Sequence, residues 1–121
     1  MAKIFLDTNI FINYVEERGK NIKDVLGEHE LTVSPLSLHI LIYISKKKVP
    51  DSRLSEIIKL FFVVDFNTEI TSKALNGPTK DFEDNVQLHS SAYAECDIFL
   101  TEDKELLKMK FFGTMKISSA V

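Results

Sequence analysis

Apolar and polar positions follow two rhythms along this chain. Short unbroken apolar runs, as in strands buried on both faces, are separated by stretches whose apolar residues recur every three or four positions, as in helices. Lys3–Leu6 is a run that stops at Asp7, and residues 9–17 follow with Ile10, Phe11, Tyr14 and Val15 at helical spacing. Residues 20–26 predict a second short helix ended by Gly27, and residues 31–33 a second strand. Ser34-Pro35 reads as a helix start, because Ser caps and Pro loses nothing at a first helical position. Leu36, Ile40, Tyr43 and Ile44 are its expected buried stripe, and Lys46-Lys47-Lys48 its positively charged end. Pro50-Asp51 opens a helix with Leu54, Ile57, Ile58 and Phe61 on one face, and residues 62–66 are the third strand.

Asn67 caps a helix carrying Ile70, Ala74 and Leu75. After the turn at Asn76-Gly77-Pro78-Thr79, Asp81 opens a long helix with Val86, His89, Tyr93 and Cys96 on one face. Ile98–Leu100 is the fourth strand, residues 103–108 a short helix, and residues 115–117 a fifth strand at the sheet edge. Strands alternating with helices imply parallel pairing through right-handed crossovers. The expectation is one three-layer α/β domain over residues 1–121, with a central, mainly parallel sheet of about five strands.

This order gives three acids equivalent places. Asp7 ends the first strand, Asp103 follows the fourth within Thr101-Glu102-Asp103, and Asp84 lies in the first turn of the helix leading into the fourth. Ligands of open parallel sheets bind outside the carboxyl ends of the strands, where the strand order reverses. Carboxylates distant in sequence can therefore converge there. Their mutual repulsion is relieved by a divalent cation, and an oxygen-rich site suits Mg2+ or Mn2+. Such a metal polarises phosphoryl oxygens and acidifies water, so the pattern points to phosphodiester hydrolysis. Each motif also suits a helix start: Asp7-Thr8-Asn9, Asp81-Phe82-Glu83-Asp84 and Thr101-Glu102-Asp103 all carry capping residues.

Composition narrows the chemistry. The single cysteine, Cys96, excludes a disulfide framework within the chain and any multi-cysteine zinc site, and it fits a reducing compartment. No apolar run is long enough for a membrane span and no signal-peptide pattern opens the chain, so the expected location is the cytoplasm. The net charge of −3 argues at first against nucleic acid. Setting aside Asp7, Asp81, Asp84 and Asp103 leaves acids and bases nearly balanced, which removes that objection.

Taken in order, Ile4-Phe-Leu-Asp7-Thr8-Asn9, Ser34-Pro-Leu-Ser-Leu, Asp81-Phe-Glu-Asp84 and Leu100-Thr101-Glu-Asp103 resemble the motifs of PIN-domain nucleases, most of all the VapC-like ribonuclease toxins. The resemblance implies a Rossmann-like α/β/α fold and Mg2+- or Mn2+-dependent endoribonuclease activity, with one or two ions. It assigns catalytic and metal-holding roles to Asp7, Asp84 and Asp103, with Asp81 as a further ligand. Thr8, Asn9 and Thr101 become supporting polar residues. It also implies an RNA substrate, a small antitoxin partner and a homodimer.

One departure is plain. The acid that the family carries on the helix after the second strand aligns with Ile40, beside His39. Either His39 takes over as ligand or proton carrier, or the site runs on three or four Asp residues with His39 a hydrogen-bonded histidine at the core edge, or activity is lost or weakened. Lys104 and Lys108, with Lys110, form a candidate RNA-facing rim, whereas Lys46-Lys47-Lys48 reads as a solvated helix end. His89 reads as structural, His29 as a loop residue, Cys96 as a small buried apolar residue and Phe111-Phe112 as packing.

A competing reading is a degenerate PIN domain that only binds RNA or a protein. A phosphatase of the haloacid-dehalogenase type also begins with a strand ending in Asp, but it needs a second Asp where Asn9 stands.

Overall fold

The computed structural model describes residues 1–18 and 22–121. In chain order the elements are β1 (Lys3–Leu6), α1 (Thr8–Val15), α2 (Ile22–Leu26), β2 (Glu30–Val33), α3 (Pro35–Ser45), α4 (Ser52–Ile58), β3 (Phe62–Val63), α5 (Thr68–Ala74), α6 (Phe82–Tyr93), β4 (Ile98–Leu100), α7 (Lys104–Met109), β5 (Phe111–Phe112) and β6 (Met115–Ser118). The expected start of the second helix at Lys20 lies outside the described residues.

The strands form one sheet in the order β3-β2-β1-β4-β6-β5, parallel except for the β5–β6 hairpin. The chain moves outward from β1 to β2 and β3, then crosses back to β4 on the other side of β1. The order therefore reverses between β1 and β4, and the carboxyl ends of these two strands flank the switch point.

Alternation along the strands divides the core between the two faces. Ile4, Leu6, Leu31, Val33 and Leu100 pack with Phe11 and Val15 of α1, Leu41 of α3 and Leu54 of α4. On the other face, Phe5, Phe99 and Ile117 pack with Leu88 of α6 and Leu106 of α7, and Phe5 and Phe99 stack with ring centroids 5.4 Å apart. Helix α5 lies outside this layer, packing Ile70 and Ala74 on Val86 of α6. The expected three-layer α/β/α arrangement is present.

Four helix starts follow the sequence closely. Ser34, Asp51, Asn67 and Asp81 each accept a backbone N–H of the first turn, a bond that typically contributes about 1 kcal/mol.

The expected buried faces hold less well. Helix α3 buries Ser37 and Leu41 rather than Leu36, Ile40, Tyr43 and Ile44; Tyr43 is 78% and Ile44 64% exposed. Nearly every side of this helix is apolar, so spacing alone does not select a face. On α6, Val86 is buried but His89 is half-buried and Tyr93 exposed, and Cys96 is buried beyond the helix end. This helix buries Asn85, Gln87, Ser90 and Ser91 as well, because it lies between the sheet and α5. Leu75, expected to pack, is exposed past the end of α5.

The third strand is shorter than expected, covering only Phe62–Val63, although Val64 still donates its N–H to Val33 O at 3.0 Å. Residues 115–117 are not an edge strand. β6 lies between β4 and the added edge strand β5, which returns through a turn at Gly113, where φ is +63°. The sheet therefore has six strands. Phe111 in that edge strand is exposed, contrary to the packing role expected of it, while Phe112 is half-buried.

Candidate acidic site

β1 ends at Asp7, which pairs one step beyond the strand by donating its N–H to Leu100 O at 3.0 Å. That pairing sets Asp7 beside Thr101, just past β4. The Thr101 hydroxyl donates to Asp7 Oδ2 at 2.7 Å and accepts the Asp103 N–H at 3.0 Å. Asp7 Oδ1 accepts the Thr8 N–H at 2.9 Å. Asp103 in turn caps α7, its Oδ1 accepting the N–H groups of Glu105 and Leu106. Asp81 caps α6 in the same way, Oδ1 accepting the Asp84 N–H at 2.9 Å. The capping reading thus holds for Asp7, Asp81 and Asp103, each of which accepts a backbone N–H at its helix start.

The electrostatics show how closely the acids face one another. Burial raises the Asp7 carboxyl above its ordinary value, with Asp103 and Asp81 adding to the rise and the Thr101 and Thr8 hydrogen bonds opposing it. Asp84 is pushed up to about 6, first by burial and then by the charges of Asp81, Asp7, Asp103 and Glu83. Glu83 is raised by burial and by Asp81 and Asp7. Five acids from three helix starts therefore act on one another.

Carboxylate oxygens of Asp81, Glu83 and Asp84 lie within 4.8 Å of one another, close enough to share a cation. The donor set fits a hard divalent cation: it is all carboxylate, free of Cys and His, and bears repulsion that a cation removes. Glu83 is absent from the expected set. It occupies the same helical first turn as Asp84, where an acid suits a helix start as well as a metal.

The other candidates separate. Thr8 is buried, its hydroxyl 3.0 Å from Ser37 Oγ and 2.8 Å from Gln87 Nε2, while Asn9 is exposed. His39 is exposed, its ring stacked on Tyr43 with centroids 6.4 Å apart, and it is not among the groups acting on the raised acids. The structure does not bring it into the cluster. Ile40 beside it is half-buried and packs against the core. Lys104 and Lys108 are exposed on α7, and Lys108 pairs with Glu105 at 3.0 Å. His89 Nε2 lies 2.8 Å from Gly77 O, a structural contact.

A cavity of about 710 Å3 opens elsewhere, lined by Lys3, Glu30, Leu31, Phe62 and Tyr93 among others, and it contains none of these acids. No described helix is long and apolar enough to cross a membrane.

An α/β/α sheet with carboxylates gathered at its switch point defines a class of acid-site proteins. Within that class the chain belongs to the PIN domain family, whose family model matches residues 4–112.

Solved structures with the same fold include VapBC2 from Rickettsia felis bound to a DNA fragment from its promoter. One of its chains matches at 16% identity with a TM-score of 0.69, over 96% of this chain and 97% of that one. DNA-bound VapBC from Salmonella typhimurium matches at 19% identity and TM-score 0.66, over 98% of each chain. VapC20 from Mycobacterium tuberculosis, a toxin that cleaves the sarcin-ricin loop, matches at 10% identity and TM-score 0.66, over 93% of this chain and 98% of that one. No curated protein sequence matches the chain.

Proposed function

We propose that this PIN domain is a divalent-metal-dependent endoribonuclease, Mg2+ or Mn2+ serving as cofactor, and the toxin of a toxin–antitoxin pair. The observation that carries the reading is the gathering of the Asp81, Glu83 and Asp84 carboxylate oxygens within 4.8 Å of one another, with the charge of Asp7 acting on Glu83 and Asp84. Repulsion of this kind is costly to keep without a cationic ligand.

Asp81, Glu83 and Asp84 would hold the cation, with Asp7 and Asp103 completing the acidic wall. When bound, a divalent ion supplies a Lewis acid for a phosphoryl oxygen and favours ionisation of water. The chain's own residues do the holding. Thr101 fixes the rotamer of Asp7 from one side and the Thr8 N–H fixes it from the other. Asp81 and Asp103 are locked by their capping bonds. Exposed Lys104, next to Asp103, offers a cation to an incoming phosphate, with Lys108 one turn further along.

The neighbours of known structure include VapBC complexes, which supports a small antitoxin partner for this chain. The reading carries with it a homodimer and a cytoplasmic location. Expression in a bacterial host is the direct test. Growth arrest by the wild type, relieved by Asp7→Asn, is expected, and equal growth of the two strains would contradict the toxin role.

Ile40 favours a second reading. The family's acid on α3 is replaced by a half-buried apolar residue, as in a domain that binds RNA or protein without cleaving. Failure of the protein to bind Mn2+ at millimolar concentration would favour this alternative.

A further inference from the structure

We infer that Gln87 is a positioning residue for the acidic site, its buried amide tying the helix starts behind Asp7 and Asp84 into one unit. This inference rests on the reading of the acids as a metal centre.

Gln87 is fully buried on α6. Its Nε2 donates to Thr8 Oγ1 at 2.8 Å and to Ser37 Oγ at 2.6 Å, and its Oε1 accepts from Ser34 Oγ at 2.5 Å. Thr8 Oγ1 and Ser37 Oγ are themselves 3.0 Å apart. One amide therefore joins the start of α1, the start of α3 and the middle of α6. Ser34, Ser37 and Thr8 are all buried, so none of the four side chains is free to exchange these bonds for water.

Two short paths lead from this amide to the acids. Thr8 carries the N–H that holds Asp7 Oδ1 at 2.9 Å. Asp84 lies one helical turn before Gln87, on the same side of α6. The amide thus sets the separation and rotation of the two elements that bring Asp7 and Asp84 together.

An apolar side chain at residue 87 would satisfy packing with less risk, since a buried polar group is costly unless its bonds are made. Apolar contacts, however, tolerate sliding, whereas three hydroxyls around one planar amide accept a narrow range of positions. The network also explains how α3 remains registered to the site without a carboxylate. Ser34 and Ser37 make its connection as neutral groups, and Ile40 packs instead against the core.

The experiment measures Mn2+ binding to the full chain by titration calorimetry, with a melting temperature for each protein. Gln87→Met keeps the volume and removes the amide; Ser37→Ala removes one arm of the network and leaves the rest. Met115→Ala is the control, a core truncation at the start of β6, at the opposite end of the strands from the acids. Gln87→Met and Ser37→Ala are expected to bind Mn2+ about tenfold more weakly, the usual effect of losing an outer-shell partner. Met115→Ala is expected to lose stability and keep wild-type affinity.

Wild-type affinity in folded Gln87→Met overturns the inference, as does wild-type affinity in Ser37→Ala if Gln87→Met does not fold. Equal weakening by Met115→Ala also overturns it, because lost stability alone would then explain the effect. Absence of Mn2+ binding by the wild type is a separate result: it removes the metal-centre reading and the inference with it.

Discussion

The Thr101 hydroxyl donates to Asp7 Oδ2 at 2.7 Å, joining residues 94 positions apart across the switch point of the sheet. Thr101 is fully buried and also receives the Asp103 N–H, so one hydroxyl orients two of the acids. Thr101→Val keeps the shape and removes both bonds. It is expected to cost about 1–3 kcal/mol, the usual penalty for stranding a buried polar partner. Thr101→Ser is expected to recover most of that loss. Urea denaturation of the three proteins checks it.

Asp84 gives the metal-free protein a characteristic pH dependence. Its carboxyl is raised from an ordinary value of 3.8 to about 6 in the folded chain. The folded state therefore binds this proton more tightly than the unfolded state. Its contribution to stability is fully present below the unfolded value and is lost as pH rises through about 6. Wild type minus Asp84→Asn, measured as melting temperature against pH, should fall across that window. A flat difference would contradict the raised carboxyl, which burial and then the neighbouring acids produce. Added Mn2+ should stabilise the wild type increasingly over the same range, because the ligands must lose protons to bind it.

Asp81 has separable duties. Asp81→Asn keeps a capping oxygen but removes the charge, whereas Asp81→Ala loses both. The Asn variant should retain wild-type stability or exceed it, and the Ala variant should fall about 1 kcal/mol below the Asn variant. Both should weaken Mn2+ binding. Thermal denaturation and calorimetry together distinguish cap from ligand.

His39 serves as a negative control on the same helix that lacks the family's acid. It is exposed and stacked on Tyr43, outside the acidic group. His39→Ala should change stability by no more than about 0.5 kcal/mol and leave Mn2+ affinity unaltered. A tenfold loss of affinity would restore His39 as a ligand.

Much of the fold was legible because local signals agreed with one another. Short apolar runs marked β1, β2 and β4, and Ser34, Pro50-Asp51, Asn67 and Asp81 marked helix starts to within a residue or two. The hairpin at Phe111–Phe112 was not legible, since a two-residue edge strand carries no period of its own. The exposed face of α3 escaped for the opposite reason: Tyr43 and Ile44 are apolar residues on an apolar helix, and tertiary contacts alone decide which side is covered.

The position of the acids followed from strand order, but their company did not. Glu83 stands next to Asp84 in a first turn whose acids also suit the helix dipole, so the sequence alone does not single it out. Gln87 gave no chemical signal, because a single amide among Val86, Leu88 and two serines acquires meaning only when Thr8, Ser34 and Ser37 are folded around it.

Cleavage of RNA in the presence of Mn2+, compared for wild type, Asp7→Asn and Asp84→Asn, tests the central claim most directly. The wild type should cleave, and each variant should lose about ten- to a hundredfold of that activity, since each removes a negative charge from the acidic site around the cation. Equal cleavage by all three preparations, or none by the wild type, would contradict it.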